Sequence, residues 1–292
     1  MPAITVKELW RFPVKSFAGE QLEEAVFQVD GLLGDRAFAL VETETNKVVS
    51  AKSVQKFPSI LDCHAEYVAQ PKTGEKLPVV LLSLANGIQT RSDSADVDQV
   101  LSSYFGLGVK LALAAPPDFT VDQYHPDIED VDPAGCRDVT VDQKLGSALF
   151  ADMGMDSAVP VGSFKDAFPL SVITTSTLDR MQELCPESMV DVSRFRMNMI
   201  LNTNDFGFLE NNWIGRNVSI GDTVKVQVAM NDPRCVMITL AQDDIPKDSS
   251  ILKALVQHNR IDIGEGKFPC AGVYAVSTTG GSVKVGDPVI LK

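Results

Sequence analysis

The 292-residue chain has little of what a disulfide-linked, metal-clustered or DNA-binding protein needs. Its five cysteines are odd in number and widely separated, and no two of them form a C-x-x-C pair. This argues against a disulfide framework, a zinc finger and an iron–sulfur cluster. Basic residues are also scarce, since 26 Lys and Arg stand against 39 Asp and Glu. The resulting net charge of −13 disfavours nucleic-acid binding.

Long hydrophobic runs are absent as well. No stretch approaches the roughly 18 uncharged apolar residues of a membrane span. The first residues lack the basic region and the unbroken apolar stretch of a signal peptide. We therefore predict a cytoplasmic protein without a membrane anchor. The fractions of hydrophobic residues (45%) and charged residues (22%) are those of an ordinary globular protein.

The negative charge is concentrated between Asp118 and Asp142, where eight acidic residues accompany a single base, Arg137. Prolines in this stretch exclude a regular helix. We predict an exposed linker or loop over 118–142, with one domain at 1–118 and a second at 119–292. The spacing of the acids does not fit a calcium loop, so a solvated loop is favoured over a cation site or a docking patch for a basic partner.

Short β-branched and aromatic runs predict that most of the chain is β-structure. The predicted strands are residues 4–12, 36–42, 47–50, 77–84, 109–115, 169–174, 197–202, 223–230 and 236–241. A turn at residues 231–233 separates the last two of these strands, and a final hairpin turns at 279–281. The fold class is mostly β with a few helices (α+β), in two parts.

Three helices are predicted from apolar residues that recur with helical spacing. The first extends from Val97 to Tyr104, with Ser92 or Ser94 as its N-terminal cap. The second follows Ser176, which precedes Asp179 by three residues in a loose capping arrangement. A short third helix lies near 251–256.

Three short patches combine basic residues with the ends of predicted strands. They are Pro13 to Ser16 with Gly34 to Arg36, Arg194 to Asn198, and Asp232 to Cys235. Because side chains leave the core where strands end, the patches are expected to share one cationic pocket for a phosphate or a polar heterocycle. The alternative is that each base is a surface charge paired with a nearby acid, Asp35 for Arg36 and Asp191 for Arg194.

Cys235 is the most informative single residue. Pro233 fixes a turn, which places the cysteine at the rim of a sheet beside Arg234. An adjacent guanidinium favours the thiolate, which binds a soft metal or attacks an electrophile. The alternative is a small buried hydrophobe. No histidine is close in sequence, so a Cys/His catalytic pair is not indicated.

Five sequence elements in a fixed order resemble the MOSC superfamily, the proteins related to the C-terminal domain of molybdenum cofactor sulfurase. Within it, the chain resembles the amidoxime-reducing components and their bacterial relatives. The elements are PVKS at 13–16, GDR at 34–36, RFRxN at 194–198, the Arg-Cys pair at 234–235 and VKVGDPVIL at 283–291. The resemblance implies a MOSC N-terminal β-barrel domain followed by a MOSC domain.

The resemblance also implies a molybdenum cofactor of the molybdopterin type between the two domains. Cys235 would be the thiolate on the metal, and Asp166 matches an aspartate close to the metal that would carry a proton. The implied contacts to the pterin and its phosphate are Lys15, Ser16, Arg36, Arg196 and Asn198, with Lys52 and Arg234 at similar family positions. The chain departs from the family at Met197, where proline is usual, and at Ala167, where a hydroxyl residue is usual.

An oxidoreductase that reduces N-hydroxylated small molecules, or transfers an oxygen atom in a related reaction, is the function that this resemblance implies. No G-x-G-x-x-G follows a strand, and the extra cysteines of a fused ferredoxin are missing. We therefore expect a separate haem or iron–sulfur carrier with its reductase as electron donor. Among the family members, the cofactor sulfurases proper carry a pyridoxal phosphate domain, and we expect no such site here. The alternatives are a protein that stores molybdenum cofactor or carries its sulfur, and a binding domain without cofactor.

Overall fold

The computed structural model describes residues 4–292, which form nineteen β-strands and four α-helices. The strands are β1 Ile4–Arg11, β2 Glu20–Leu22, β3 Glu24–Gln28, β4 Gly31–Leu32, β5 Ala39–Glu42, β6 His64–Tyr67, β7 Val80–Ser83, β8 Gln89–Arg91, β9 Val109–Ala112, β10 Thr120–His125, β11 Val139–Lys144, β12 Leu170–Thr174, β13 Met199–Asn202, β14 Asn217–Ile220, β15 Val224–Pro233, β16 Arg260–Asp262, β17 Lys267–Thr279, β18 Gly281–Lys284 and β19 Pro288–Leu291. The helices are α1 Val97–Phe105, α2 Gly146–Asp152, α3 Thr175–Leu184 and α4 Ser250–His258. The predicted class, mostly β with a few helices, is confirmed. No helix within 4–292 has the length and the apolar character needed to cross a bilayer.

Seven strands close into one barrel. Hydrogen bonds connect them in the order β12, β13, β1, β19, β14, β15 and β17, and β17 pairs back with β12. Only β12 and β13 run parallel among these neighbours. Strand β15 shows why the sequence favours this arrangement: Val224, Val226 and Val228 are buried, while Lys225 and Gln227 between them are exposed.

Strand β1 links the beginning of the chain to the barrel. It lies between β13 and β19, and Trp10 N donates a hydrogen bond of 2.9 Å to Asn198 O. The chain therefore leaves β1 at Phe12, directly beside the turn that precedes β13. Two of the basic patches, 13–16 and 194–198, are brought together by this strand. Strand β1 belongs to the first predicted domain, 1–118, but it pairs with β13 and β19 of the second, 119–292. The division into these two domains stays a prediction.

A second core lies beneath the smaller sheets formed by β5 with β9 and by β6, β7 and β8. Helix α1 covers this core through Leu101, which is fully buried. The predicted cap of α1 is wrong, because Asp96 precedes the helix and Ser92 Oγ instead accepts from Val80 N at 3.0 Å. The predicted strand at 47–50 is also wrong: within it, only Val48 forms an isolated bridge.

The acidic stretch 118–142 is not a simple loop, and that prediction is wrong. Strands β10 and β11 pair along their full length and leave only 126–138 between them irregular. Alternating valine and threonine residues favour this ribbon. A base outside the stretch compensates part of its negative charge, since Lys47 Nζ lies 2.7 Å from Asp122 and 2.6 Å from Asp142. These carboxylates are therefore part of the packing against the N-terminal half.

The turn predicted at 231–233 is wrong. Strand β15 continues through Pro233, which lies opposite Cys270 of β17 at an irregularity in the register. Proline has no N–H to donate to a regular ladder, and it is tolerated here because the ladder is irregular at this position. The predicted strand 236–241 is also wrong: residues Val236–Thr239 form a 3-10 helix, with Thr239 Oγ1 donating to Val236 O at 2.7 Å.

Two further local predictions differ from the structure. Helix α3 is capped by Thr174, whose side chain accepts from Thr177 N at 3.2 Å, and not by Ser176. After Gly280 the chain does turn, but β18 pairs with β3 and not with β17, so the final hairpin is wrong. A local turn signal cannot specify a partner strand that lies more than 200 residues earlier in the chain.

Candidate functional site

Lys15, Lys52 and Asp166 form the centre of the candidate site, although they are far apart in sequence. Lys15 Nζ donates to Asp166 Oδ1, and Lys52 Nζ donates to Oδ2 at 2.7 Å. Asp166 is held in place through its main chain, because Gly146 N donates to Asp166 O at 2.5 Å. Gly146 has a φ of +56°, and a Cβ there would lie 3.1 Å from Lys165 O, so glycine suits this close approach.

The two lysines determine the charge state of Asp166. Burial alone would raise the pKa of Asp166, but Lys15 and Lys52 outweigh it and hold the pKa well below its usual range. Burial lowers the pKa of Lys15 to about 8, even though Asp166 opposes the change. Burial also opposes the charge of Lys52, but Asp166 and the nearby Cys235 raise its pKa. Asp166 is therefore ionised at neutral pH, and Lys15 holds a labile proton.

Two arginines lie against the ring of Phe12. Their Cζ atoms are 4.8 Å (Arg36) and 4.4 Å (Arg196) from the ring centroid. Arg36 donates to Asp35 Oδ2 at 2.5 Å and to Arg196 O at 3.0 Å, and Arg196 donates to Phe17 O at 2.8 Å. Burial, together with the positive charge of Arg36, lowers the pKa of Arg196. The paired acid expected for Arg36 is thus present, yet Arg36 also belongs to the shared cluster.

Left-handed backbone conformations mark three of the predicted residues. Ser16, Arg36 and Arg196 have φ values of +68°, +49° and +53°. A non-glycine residue in this region costs on the order of 1 kcal/mol, and such strain clusters at functional sites. Ser16 Oγ also accepts from Ala51 N at 3.0 Å, which ties the Lys52 loop to the end of β1.

Cys235 is half-buried at the end of β15, where it precedes the 3-10 helix Val236–Thr239. Its neighbour Arg234 lies 2.5 Å from Asp232 Oδ2 and donates to Phe195 O at 2.8 Å. Two buried atoms of this pair, Asp232 Oδ1 and Arg234 Nε, make no hydrogen bond among the described residues. Unpaired buried polar atoms are rare, and these two are available to a group that binds beside them.

The side-chain amide of Asn198 is held by hydrogen bonds within the protein. Its amide oxygen accepts from Ser171 N at 3.3 Å and from Ser171 Oγ at 3.2 Å, and Nδ2 donates to Trp10 O at 3.3 Å. Asn198 therefore connects β12 with β1. A contact from Asn198 to a cofactor stays a prediction.

Sequence reasoning missed several residues of the cluster, notably Tyr274 and Lys165. The Tyr274 ring stacks on Phe168 with centroids 5.2 Å apart, and burial followed by the nearby Asp232 raises its pKa well above the usual value. Lys165 is buried, which lowers its pKa, and it donates to Asp30 O at 2.5 Å. Lys165 directly precedes Asp166 and could have been found from that position. Tyr274 is one residue of an ordinary strand and gives no sequence signal.

A cavity of about 340 Å³ adjoins the cluster. Its walls include the aromatic side chains of Trp10 and Phe12 and the polar side chains of Arg196, His64 and Gln242. Aromatic faces and guanidinium donors of this kind suit a planar polar ligand. Within 4–292, no group of three or more His, Cys, Asp and Glu side chains is arranged to hold a metal ion.

Comparisons with known proteins relate the chain to proteins of known name. The chain is 25% identical to mitochondrial amidoxime-reducing component 1 of Mus musculus and 23% identical to that of Homo sapiens. Each alignment covers 98% of this chain and 82% of the relative. The crystal structure of the YUAD protein from Bacillus subtilis superposes with a TM-score of 0.45 at 11% identity, covering 99% of this chain and 95% of that chain.

Two family models match the halves that carry the site. The model of the MOSC N-terminal beta barrel domain matches residues 3–100, which include Lys15, Arg36 and Lys52. The model of the MOSC domain matches residues 160–290, which include Asp166 and Cys235. The chain therefore belongs to the MOSC proteins, with a MOSC N-terminal beta barrel domain followed by a MOSC domain.

Proposed function

We propose that this MOSC protein is a molybdenum-cofactor-dependent oxidoreductase that reduces N-hydroxylated small molecules or transfers an oxygen atom in a related reaction. One observation carries the proposal: Lys15 and Lys52 share Asp166 in a buried, positively charged cluster that also includes Cys235. The similarity to amidoxime-reducing components over 98% of the chain supports the reaction class.

The residues of the cluster fit such a cofactor. The cluster contains six basic side chains and three acidic ones. The basic residues are Lys15, Arg36, Lys52, Lys165, Arg196 and Arg234, and the acidic residues are Asp35, Asp166 and Asp232. Burial of positive charge is costly, as the lowered pKa values of Lys15 and Arg196 show. A phosphate group would provide the missing negative charge, and the orphaned Arg234 Nε is a further donor at the same place.

Each residue has a distinct role in this proposal. Cys235 supplies the thiolate for the metal, while the main contacts to phosphate and pterin come from the basic residues, Ser16 and Asn198. When bound, the molybdenum cofactor supplies the two-electron redox chemistry. Asp166 is a poor proton donor at neutral pH because two lysines keep it ionised. Lys15, with a pKa of about 8, is better matched to deliver a proton, and Asp166 orients its ammonium group.

The electron donor is proposed to be a separate redox protein, a haem or iron–sulfur carrier with its reductase, acting in the cytoplasm. The test is an assay of the metal-loaded chain with NADH and an aromatic amidoxime, with and without an added carrier and reductase. We expect turnover only when the carrier system is present. Turnover with NADH alone would contradict the donor requirement. Failure of a metal-loaded protein to reduce N-hydroxylated compounds with any carrier would favour cofactor storage or sulfur delivery.

A further inference from the structure

Arg194 is the largest fully buried side chain among the described residues, with 1% of its surface exposed. The acid expected to pair with it, Asp191, instead accepts from Ser193 N and Ser193 Oγ at 2.8 and 2.6 Å. The Arg194 guanidinium donates to four main-chain carbonyls. The acceptors are Met189 O at 2.9 Å, Ile238 O at 3.1 Å, Leu240 O at 3.1 Å and Pro246 O at 2.6 Å.

Three of these four carbonyls belong to the segment that follows Cys235. Ile238 and Leu240 lie at the end of the 3-10 helix Val236–Thr239, and Pro246 lies beyond the short bridge between Gln242 and Ile245. Arg194 therefore fastens the segment at two separated places. The Arg194 side chain thereby connects the 194–198 patch to the segment that follows Cys235.

The main chain beside Arg194 holds the other side of Cys235. Phe195 O accepts from Arg234 Nη2 at 2.8 Å, so the residue before the cysteine is tied to the residue after Arg194. Arg196 reaches in the opposite direction, to Phe17 O at 2.8 Å. The short helix Val192–Phe195 thus contacts the chain on both sides of the sulfur.

We propose that Arg194 is a positioning residue that fixes the Cys235 sulfur in the candidate site. The geometry requires an arginine, because its planar group has five N–H donors that reach carbonyls at several separate positions. A lysine at this position keeps the charge, but its three N–H donors sit on one nitrogen, whereas those of Arg194 reach the four carbonyls from three nitrogens. The role of Cys235 as a metal ligand rests on the proposed function. The control of its position by Arg194 does not, because it depends only on contacts within the chain.

The test measures how fast iodoacetamide alkylates Cys235 in cofactor-free protein, with Cys136 of the same molecule as internal reference. Both cysteines are half-buried. In Arg194→Lys we expect the ratio of the two rates to rise roughly fivefold or more, because a loosened segment exposes the sulfur more often. The matched control is Arg180→Lys on α3, where the arginine side chain is 39% exposed, and we expect its ratio to stay within about twofold of wild type. A folded Arg194→Lys protein with an unchanged ratio would overturn the proposal.

A second variant keeps the proposal testable if Arg194→Lys does not fold. Pro246→Gly leaves Arg194 intact but gives the far end of the segment more conformational freedom. The ratio should then rise roughly twofold to threefold, and an unchanged ratio in folded Pro246→Gly would overturn the proposal. In metal-loaded enzyme, Arg194→Lys should lower kcat with little change in KM, since Arg194 is not in contact with substrate. Wild-type protein without molybdenum would contradict the proposed function, while the alkylation result would still decide the role of Arg194.

Discussion

At the scale of single residues, the candidate site depends on one carboxylate shared by two lysines. Asp166 accepts from both Lys15 and Lys52, and the pair keeps it ionised. A carboxylate in this state orients positive groups and has no proton to donate at neutral pH. The labile proton belongs to Lys15, whose pKa of about 8 reflects its burial. Asp166 therefore positions the two lysines, and Lys15 is the residue that gains or loses a proton near neutral pH.

Removing basic residues of the cluster should weaken cofactor retention. For Arg196→Ala we expect a loss of about 1.5 to 3 kcal/mol, or roughly 10 to 150-fold, because a charge-assisted hydrogen bond to an anion disappears. Lys15→Ala and Arg36→Ala should act in the same direction. The measurement is the cofactor content after dialysis, with the exposed Arg180→Ala as control. Full cofactor content in all three variants would show that these residues do not hold it.

Retention should also depend on pH through Lys15. Its pKa of about 8 in the free site means that its positive charge is lost as pH rises through that value. Affinity for an anionic cofactor should therefore fall between about pH 7 and 9.5, by up to roughly tenfold per pH unit. Lys15→Arg keeps the charge and should flatten this dependence. The same pH dependence in Lys15→Arg would assign it to another group.

At the scale of elements, Glu210 fixes the beginning of α3. It is fully buried and accepts from Thr174 Oγ1 at 2.6 Å and Thr177 Oγ1 at 2.7 Å. Glu210→Ala should lower the free energy of unfolding by about 2 to 4 kcal/mol, because buried hydroxyl groups lose their acceptor. Glu183→Ala, at an exposed position of the same helix, should change it by less than about 0.5 kcal/mol. Equal effects of the two variants in a urea titration would contradict this role.

The elements that were predicted correctly are those whose pattern is local. Strands β12 and β15 follow from their apolar residues, and α1 and α4 follow from helical spacing. Two of the elements that were wrong depend on distant partners. Strand β18 pairs with β3, and the acidic ribbon is offset by Lys47 and Lys56 from the N-terminal half.

The same distinction applies to the site. Lys15, Arg36 and Arg196 were candidates because they lie where predicted strands begin or end, and the left-handed backbone of Arg36 and Arg196 shows that their turns are specialised. Tyr274 was missed because only the pairing of β12 with β17 brings it to the cluster, opposite Ser171. Nothing in the sequence around Asn198 indicates that Ser171 and Trp10 occupy its amide group.

At the scale of the whole molecule, the acidic ribbon consists of β10, β11 and the segment 126–138 between them. It is the surface expected to affect docking of a basic electron donor. Ion pairs already engage Asp127 with Arg137 and Asp130 with Arg260, and this reduces the charge that a partner meets. Neutralising Asp127, Glu129 and Asp130 should still lower the on-rate of a basic donor at low ionic strength. The control neutralises Glu23, Glu75 and Asp222, which are exposed outside 118–142 and change the net charge equally. Unchanged donor kinetics would remove the ribbon from the mechanism.

The central claim is that Cys235 binds molybdenum in a working oxidoreductase. The most direct measurement compares wild type, Cys235→Ser and the control Cys136→Ser for molybdenum content and for amidoxime reduction with the carrier system present. We predict that wild type and Cys136→Ser contain molybdenum and turn over, whereas folded Cys235→Ser loses activity because a hydroxyl is a poor replacement for a soft thiolate. Wild-type activity in Cys235→Ser with molybdenum present, or wild-type protein without molybdenum, would contradict the account.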